Sequence, residues 1–138
     1  YGLRERIKVI ASGKLINPGK VAWALAVGAD FCTSARGFMF SLGCIQALQC
    51  NKNTCPSGIT THDKELQEGL VPGEKSKRVV AYAEGVDHGV GIIAHACGVA
   101  EPRGLQRHHM RVIERSDRSQ GMQELDPLPA VREEYARP

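Results

Sequence analysis

The chain has 138 residues, of which 42% are apolar and 24% charged, the balance of one globular domain rather than a disordered chain. Lysine and arginine outnumber aspartate and glutamate by 18 to 15, a net charge of +3, and only 5% of residues are aromatic. So small a basic excess argues against a dedicated nucleic-acid surface, and no apolar run approaches the roughly 18 residues of a membrane span.

The chain opens on Tyr1 with no basic-then-apolar leader, so the expectation is a piece of a longer cytoplasmic polypeptide. Ile7-Lys8-Val9-Ile10-Ala11 is short, β-branched and nearly continuous in apolar character, which predicts a strand covered on both faces, as in a parallel sheet. Ser12-Gly13-Lys14 breaks it. Asn17 is placed to cap a helix and Pro18 to occupy its first position. The apolar residues from Val21 to Val27, Trp23 and Leu25 among them, form the helix body, and Gly28 the stop. A second strand is expected over Ala29–Thr33, closed by Ser34-Ala35-Arg36-Gly37, and a second helix over Phe38–Leu48. Strand, helix, strand, helix with short connections is the unit of a parallel α/β fold.

Residues 51–58 have turn composition and read as an irregular loop. Leu70-Val71-Pro72-Gly73 is a further break, followed by near-helical apolar spacing from Ser76 to Cys97 with Gly98 as the stop. Gly85, Gly89 and Gly91 each weaken that helix by roughly 1 kcal/mol against alanine. Beyond Pro102 come a short segment over Leu105–Arg111, a polar stretch over Ser116–Gly121 and a proline-containing tail. The expected organisation is therefore residues 1–63 as two βα units and residues 64–138 as a mainly helical extension. Two strands cannot close a core alone; a parallel barrel takes eight such units in about 250 residues.

Both strands run into glycine-bearing turns that lead to helices. Backbone N–H groups there carry partial positive charge and suit a phosphate, with Arg36 as a charged donor. Gly13 and Gly37 equally suit tight turns alone. Of the five cysteines, Cys32 and Cys97 lie in strand and helix patterns and read as small buried hydrophobes. An odd count with three thiols crowded together does not describe a secreted disulfide scaffold. Cys44-x5-Cys50-x4-Cys55-Pro56 offers three thiolates to one centre, as a cube lacking one iron requires. Zinc completed by His62 is the alternative. Lys52 and nearby amides would favour thiolates and tune such a centre.

The stretches Ile7–Ala11, Ser12-Gly13-Lys14, Val27-Gly28-Ala29-Asp30, Ala35-Arg36-Gly37-Phe38-Met39, Leu42-Gly43-Cys44-Ile45-Gln46-Ala47, Cys50 and Cys55-Pro56-Ser57-Gly58-Ile59 with Thr61 together resemble the end of the FMN-binding barrel of the glutamate synthase family. They are most similar to its short, glutamate-synthase-like members. The likeness covers residues 4–63 best, and the cysteine spacing is what separates it from other FMN barrels. It implies the last two βα units of a TIM-type barrel, with FMN phosphate contacts at Ser12, Gly13, Lys14, Ala35, Arg36 and Gly37. It also implies a 3Fe-4S cluster on Cys44, Cys50 and Cys55. The implied activity is reductive amination of 2-oxoglutarate to glutamate through 2-iminoglutarate. Ferredoxin or a pyridine-nucleotide-linked subunit would supply electrons, and the upstream chain would supply the rest of the barrel. A zinc-binding module and a cofactor-free piece of barrel remain as alternatives.

His88 and His95 read as partly exposed structural histidines, since no acidic or thiol partner has matching spacing. His108 and His109 with Arg103, Arg107 and Arg111 make a basic patch that Glu101, Glu114 and Asp117 dilute. No motif for an acid–base or nucleophilic catalyst is present.

Overall fold

The computed structural model describes residues 3–113 and 118–127. Glu114 and Asp117, the start of the polar stretch at Ser116 and the tail beyond Pro127 lie outside them. The elements, in order, are β1 (Ile10–Ala11), α1 (Pro18–Val27), β2 (Phe31–Cys32), α2 (Ala35–Ser41), α3 (Lys64–Gln67), α4 (Pro72–Ala96), β3 (Arg111–Ile113), β4 (Ser119–Gly121) and α5 (Met122–Leu125). Short 3₁₀ turns stand at Arg4–Arg6, Pro102–Gly104 and Arg107–His109. The fold is thus mixed α/β.

β1 and β2 pair in parallel, Ile10 opposite Phe31 and Ala11 opposite Cys32, with α1 as the crossover. Both strands are shorter than the five-residue runs the sequence predicts. The backbone bonds nonetheless reach further: Asp30 and Phe31 N–H donate to Val9 O at 2.9 and 3.2 Å, and Thr33 N–H donates to Ala11 O at 2.9 Å. Among the described residues β1 and β2 pair only with each other. The cover expected on both faces is not present among the described residues: Ile10 is 63% and Phe31 49% exposed.

Asn17 caps α1 as expected, its Oδ1 accepting from Lys20 N–H at 3.0 Å, and Pro18 opens the helix without wasting a donor. The buried positions are alanines, Ala22, Ala24 and Ala26, while Trp23 faces outward. Small residues face inward because α1 seats directly on α4. Ala22 and Ala26 meet Val90, Ala94 and Leu105 in the core, with Val21, Leu25, Val86, Ile93 and Cys97 around them. α1 lies before residue 63 and α4 after it, and their contact holds that core.

α4 begins at Pro72 rather than near Ser76, because proline is tolerated in a first helical turn where the N–H has no partner anyway. α2 begins at Ala35 and stops at Ser41, several residues short of the expected Leu48. Its end is set by Gly43 at φ +99. Gly43 N–H donates to Phe40 O at 2.9 Å and Cys44 N–H to Met39 O at 3.0 Å, the paired closure of a Schellman motif that needs a left-handed residue. Gly28 and Gly98 close α1 and α4 with the same pair of bonds. No helix among the described residues is long and apolar enough to cross a membrane.

Candidate functional site

Parallel pairing puts the exits of β1 and β2 at one end of the sheet, so the turn after each strand lies beside the other. In the first turn Ser12, Gly13 and Lys14 are exposed. Gly13 and Lys14 are both left-handed, at φ +101 and +57. Ile16 N–H folds back onto Lys14 O at 2.9 Å, and buried Leu15 anchors the turn. In the second, Ala35 and Arg36 are exposed and Gly37 is buried. Ala35-Arg36-Gly37 is the first turn of α2, not a connection ahead of it as the sequence suggests. Neither Lys14 nor Arg36 enters an ion pair among the described residues.

Gly37 carries a constraint the sequence does not reveal. A Cβ built there would stand 1.8 Å from the Tyr82 hydroxyl and 2.6 Å from Ser34 Oγ. The missing side chain makes room for a residue from α4, 45 positions away in sequence, and not only for a turn.

The cysteine segment follows α2. Cys44 is half-buried and held by its N–H to Met39 O; Cys50 is exposed and Cys55 is buried. The loop is wound by left-handed residues at Gln46, Leu48, Asn53 and Gly58. It is pinned by Thr61, whose hydroxyl donates to Asn53 O at 2.7 Å and accepts from Asp63 N–H at 3.1 Å. Gly58 sits where a Cβ would meet Leu66 O at 2.5 Å, so the loop's return onto α3 also requires a bare backbone. Asp63 Oδ1 then caps α3.

The Cys55 thiol is drawn down to about 6, first by the Ser57 hydroxyl and then by the Thr60 N–H and hydroxyl, against the opposing pull of burial. Ser57 Oγ is 3.4 Å from the sulfur. The Thr60 hydroxyl is buried and has no other hydrogen-bond partner among the described residues. Burial alone raises the Cys32 thiol, as its strand position implies.

Three thiols are the right donor kind for iron–sulfur or zinc. Among the described residues no three histidine, cysteine, aspartate or glutamate side chains gather in a geometry that holds a metal ion. Cys44, Cys50 and Cys55 lie on the one segment between α2 and α3, with exposed His62 just before α3.

Clefts also lie elsewhere among the described residues. One of about 480 Å³ is lined mainly by Phe31, Phe38, Tyr82, Val86 and Arg103, between β2 and the helices. Arg103 covers Phe31 at 5.2 Å from the ring centre and donates to Asp30 O at 2.9 Å. In the basic patch, Arg107 pairs with Asp126 at 3.0 Å and His109 Nδ1 accepts from Gln106 N–H. His88 and His95 are exposed on α4.

A parallel β–α–β–α run with glycine-bearing strand exits places the chain among α/β proteins. Residues 1–100 match the conserved region in glutamate synthase, and the chain belongs to the glutamate synthase family. It is similar to the glutamate synthase large subunit-like protein YerD of Bacillus subtilis, 48% identical over 80% of this chain and 21% of that protein. It is 31% identical to the archaeal glutamate synthase [NADPH] of Methanocaldococcus jannaschii, over 80% of this chain and 22% of that one. The glutamate synthase [NADPH] large chain of Bacillus subtilis is 34% identical over 49% of this chain and 4% of its own length. The chain thus spans about a fifth of the length of the first two relatives. No solved structure gives a significant match.

Proposed function

We propose that residues 1–63 supply the closing two βα units of a TIM-type, FMN-binding barrel in a glutamate-synthase-type oxidoreductase. Residues 64–138 would be its helical and irregular C-terminal extension, of which α4 packs against α1. The carrying observation is the parallel register of Ile10 with Phe31, which sets two glycine-bearing strand exits side by side. Exits of adjacent parallel strands are where such folds hold phosphate. Backbone N–H groups at Ser12, Gly13 and Lys14 and at Ala35, Arg36 and Gly37 would hold the FMN phosphate. Lys14 and Arg36 would supply the charge opposite a dianion. The open faces at Ile10 and Phe31 suit further strands from the same polypeptide, since an apolar strand face left in water forgoes about 25 cal/mol per Å².

Bound FMN supplies hydride transfer, here toward 2-iminoglutarate formed from 2-oxoglutarate and ammonia. This chain's residues orient the cofactor at its phosphate end; the ring and substrate contacts belong to earlier strands. Cys44, Cys50 and Cys55 would hold a 3Fe-4S cluster, a reading supported by their donor kind and by the family match. Metal binding and the folding of the loop that carries its ligands are coupled. Ferredoxin or a pyridine-nucleotide-linked subunit would be the donor, in the cytoplasm.

Anaerobic reconstitution with iron, sulfide and FMN tests this reading. Iron with acid-labile sulfide, lost in Cys50→Ser, together with tighter binding of FMN than of riboflavin supports it. Zinc without sulfide, or no flavin preference, overturns the corresponding half.

A further inference from the structure

We propose that Tyr82 of α4 is a positioning residue that fixes the spacing between the two strand-exit turns. Its hydroxyl lies 2.8 Å from Ile16 O and 2.8 Å from Ser34 Oγ. A carbonyl only accepts, so the single Tyr82 proton goes to Ile16. Ser34 must then donate to the Tyr82 oxygen, and the chain of protons runs one way, from Ser34 through Tyr82 to Ile16. Ile16 stands two residues past Lys14, and Ser34 stands immediately before Ala35. One hydroxyl from a third element therefore ties both turns together.

Three features show how the surroundings serve this tie. Ser34 occupies the capping position of α2, where the serine oxygen ordinarily accepts from the helix backbone, yet it accepts no cap bond; the side chain is turned to Tyr82 instead. Gly37 leaves open the space that the Tyr82 hydroxyl fills. Phe38 meets the Tyr82 ring edge-on, centroids 5.0 Å apart at 85°, which fixes the ring's tilt.

The consequence for ligand binding rests on the phosphate reading proposed above. A phosphate held by amides from two turns needs their separation set beforehand, and turns free to drift forfeit that preorganisation. Tyr82 touches no ligand; it acts through the turns.

The test uses the full chain and Tyr82→Phe, which keeps the ring and its Phe38 contact and removes both hydrogen bonds. Amide hydrogen exchange should quicken in both turns, over residues 14–17 and 35–37. The preference for FMN over riboflavin should fall about tenfold, with riboflavin affinity unchanged. Ser34→Ala should loosen the second turn alone. Unchanged exchange in either turn of Tyr82→Phe, or a preserved preference for FMN, overturns the role of Tyr82. A parent chain that binds the two flavins alike overturns the phosphate reading instead, and the exchange of the two turns then decides the tie by itself.

Discussion

Gly89 of α4 rests against the ring of Pro18, the first residue of α1, so closely that a Cβ built at 89 would lie 2.5 Å from Pro18 Cγ and 2.8 Å from its Cβ. This contact is one turn from the alanines that form the core. It explains a glycine that helix propensity alone counts against. Gly85 and Gly91, in the same helix, face open space.

Gly89→Ala sets two effects against each other. Propensity favours alanine by about 1 kcal/mol, while forcing a methyl into a packed contact with a rigid ring costs about 1–3 kcal/mol. The net expectation is destabilisation. Gly85→Ala and Gly91→Ala meet no such contact and should each stabilise by about 1 kcal/mol. Denaturant midpoints at constant slope read all three; a stabilised Gly89→Ala chain would contradict the packing argument.

Which parts of the fold were legible follows from the range of the forces involved. The Asn17-Pro18 start and the Gly28 and Gly98 stops are local chemistry, written within a few residues, and they stand where the sequence predicts. Gly43 carries the same stop signal, but the apolar run across Phe38–Leu48 masks it, and α2 ends there. The strands shrink to two residues because their length depends on neighbours that no local pattern contains. Gly37 and Gly89 read as turn or weak-helix residues because their partners, Tyr82 and Pro18, are 45 and 71 positions away. At the cysteines, spacing offers donors of one kind, while the course of the loop turns on left-handed residues that no local pattern marks.

Asp30 gives the stability a defined pH dependence. Its carboxyl is held below the ordinary range chiefly by the Val9 N–H, 2.8 Å from Oδ2, against burial, and further by Arg4 at 3.0 Å and Lys8 at 3.7 Å. A folded-state value below the unfolded one means the proton is bound more readily by the unfolded chain. The stabilisation is therefore full above the ordinary carboxyl range and is lost as pH falls through the depressed value. Asp30→Asn keeps an acceptor for Val9 but removes both ion pairs. The variant should be less stable at neutral pH, with its unfolding curve converging on the parent's in acid and the difference shrinking in high salt.

The Cys55 thiol should titrate early in the metal-free chain. Its folded value of about 6 lies well below the roughly 8.5 of an ordinary thiol. The thiolate is thus the folded form at neutral pH, and the stabilisation it carries grows between those values and disappears as pH falls through the lower one. Ultraviolet thiolate absorbance followed against pH should show one early step, absent in Cys55→Ser. Ser57→Ala removes the largest cause and should move that step upward, toward the ordinary thiol. A first step unaffected by Ser57→Ala would assign the acidic thiol to another cause.

Gly37 and Tyr82 should be coupled in stability. Gly37→Ala drives a methyl into the Tyr82 hydroxyl, which a Cβ would approach to 1.8 Å, and into the ring carbon at 2.4 Å. The chain must then shift α2 or expel the tyrosine, at a cost of about 1–3 kcal/mol. Tyr82→Leu empties the same space and loses the two hydrogen bonds together with the Phe38 contact, so it is destabilising by itself. Once the tyrosine is gone the methyl at 37 has room, and the double variant should lose less than the two single variants summed. Residues in contact show such coupling at about 0.5–3 kcal/mol. Strict additivity in the four-member cycle would mean that Gly37 is required for the backbone of α2 itself and not for the seat of Tyr82.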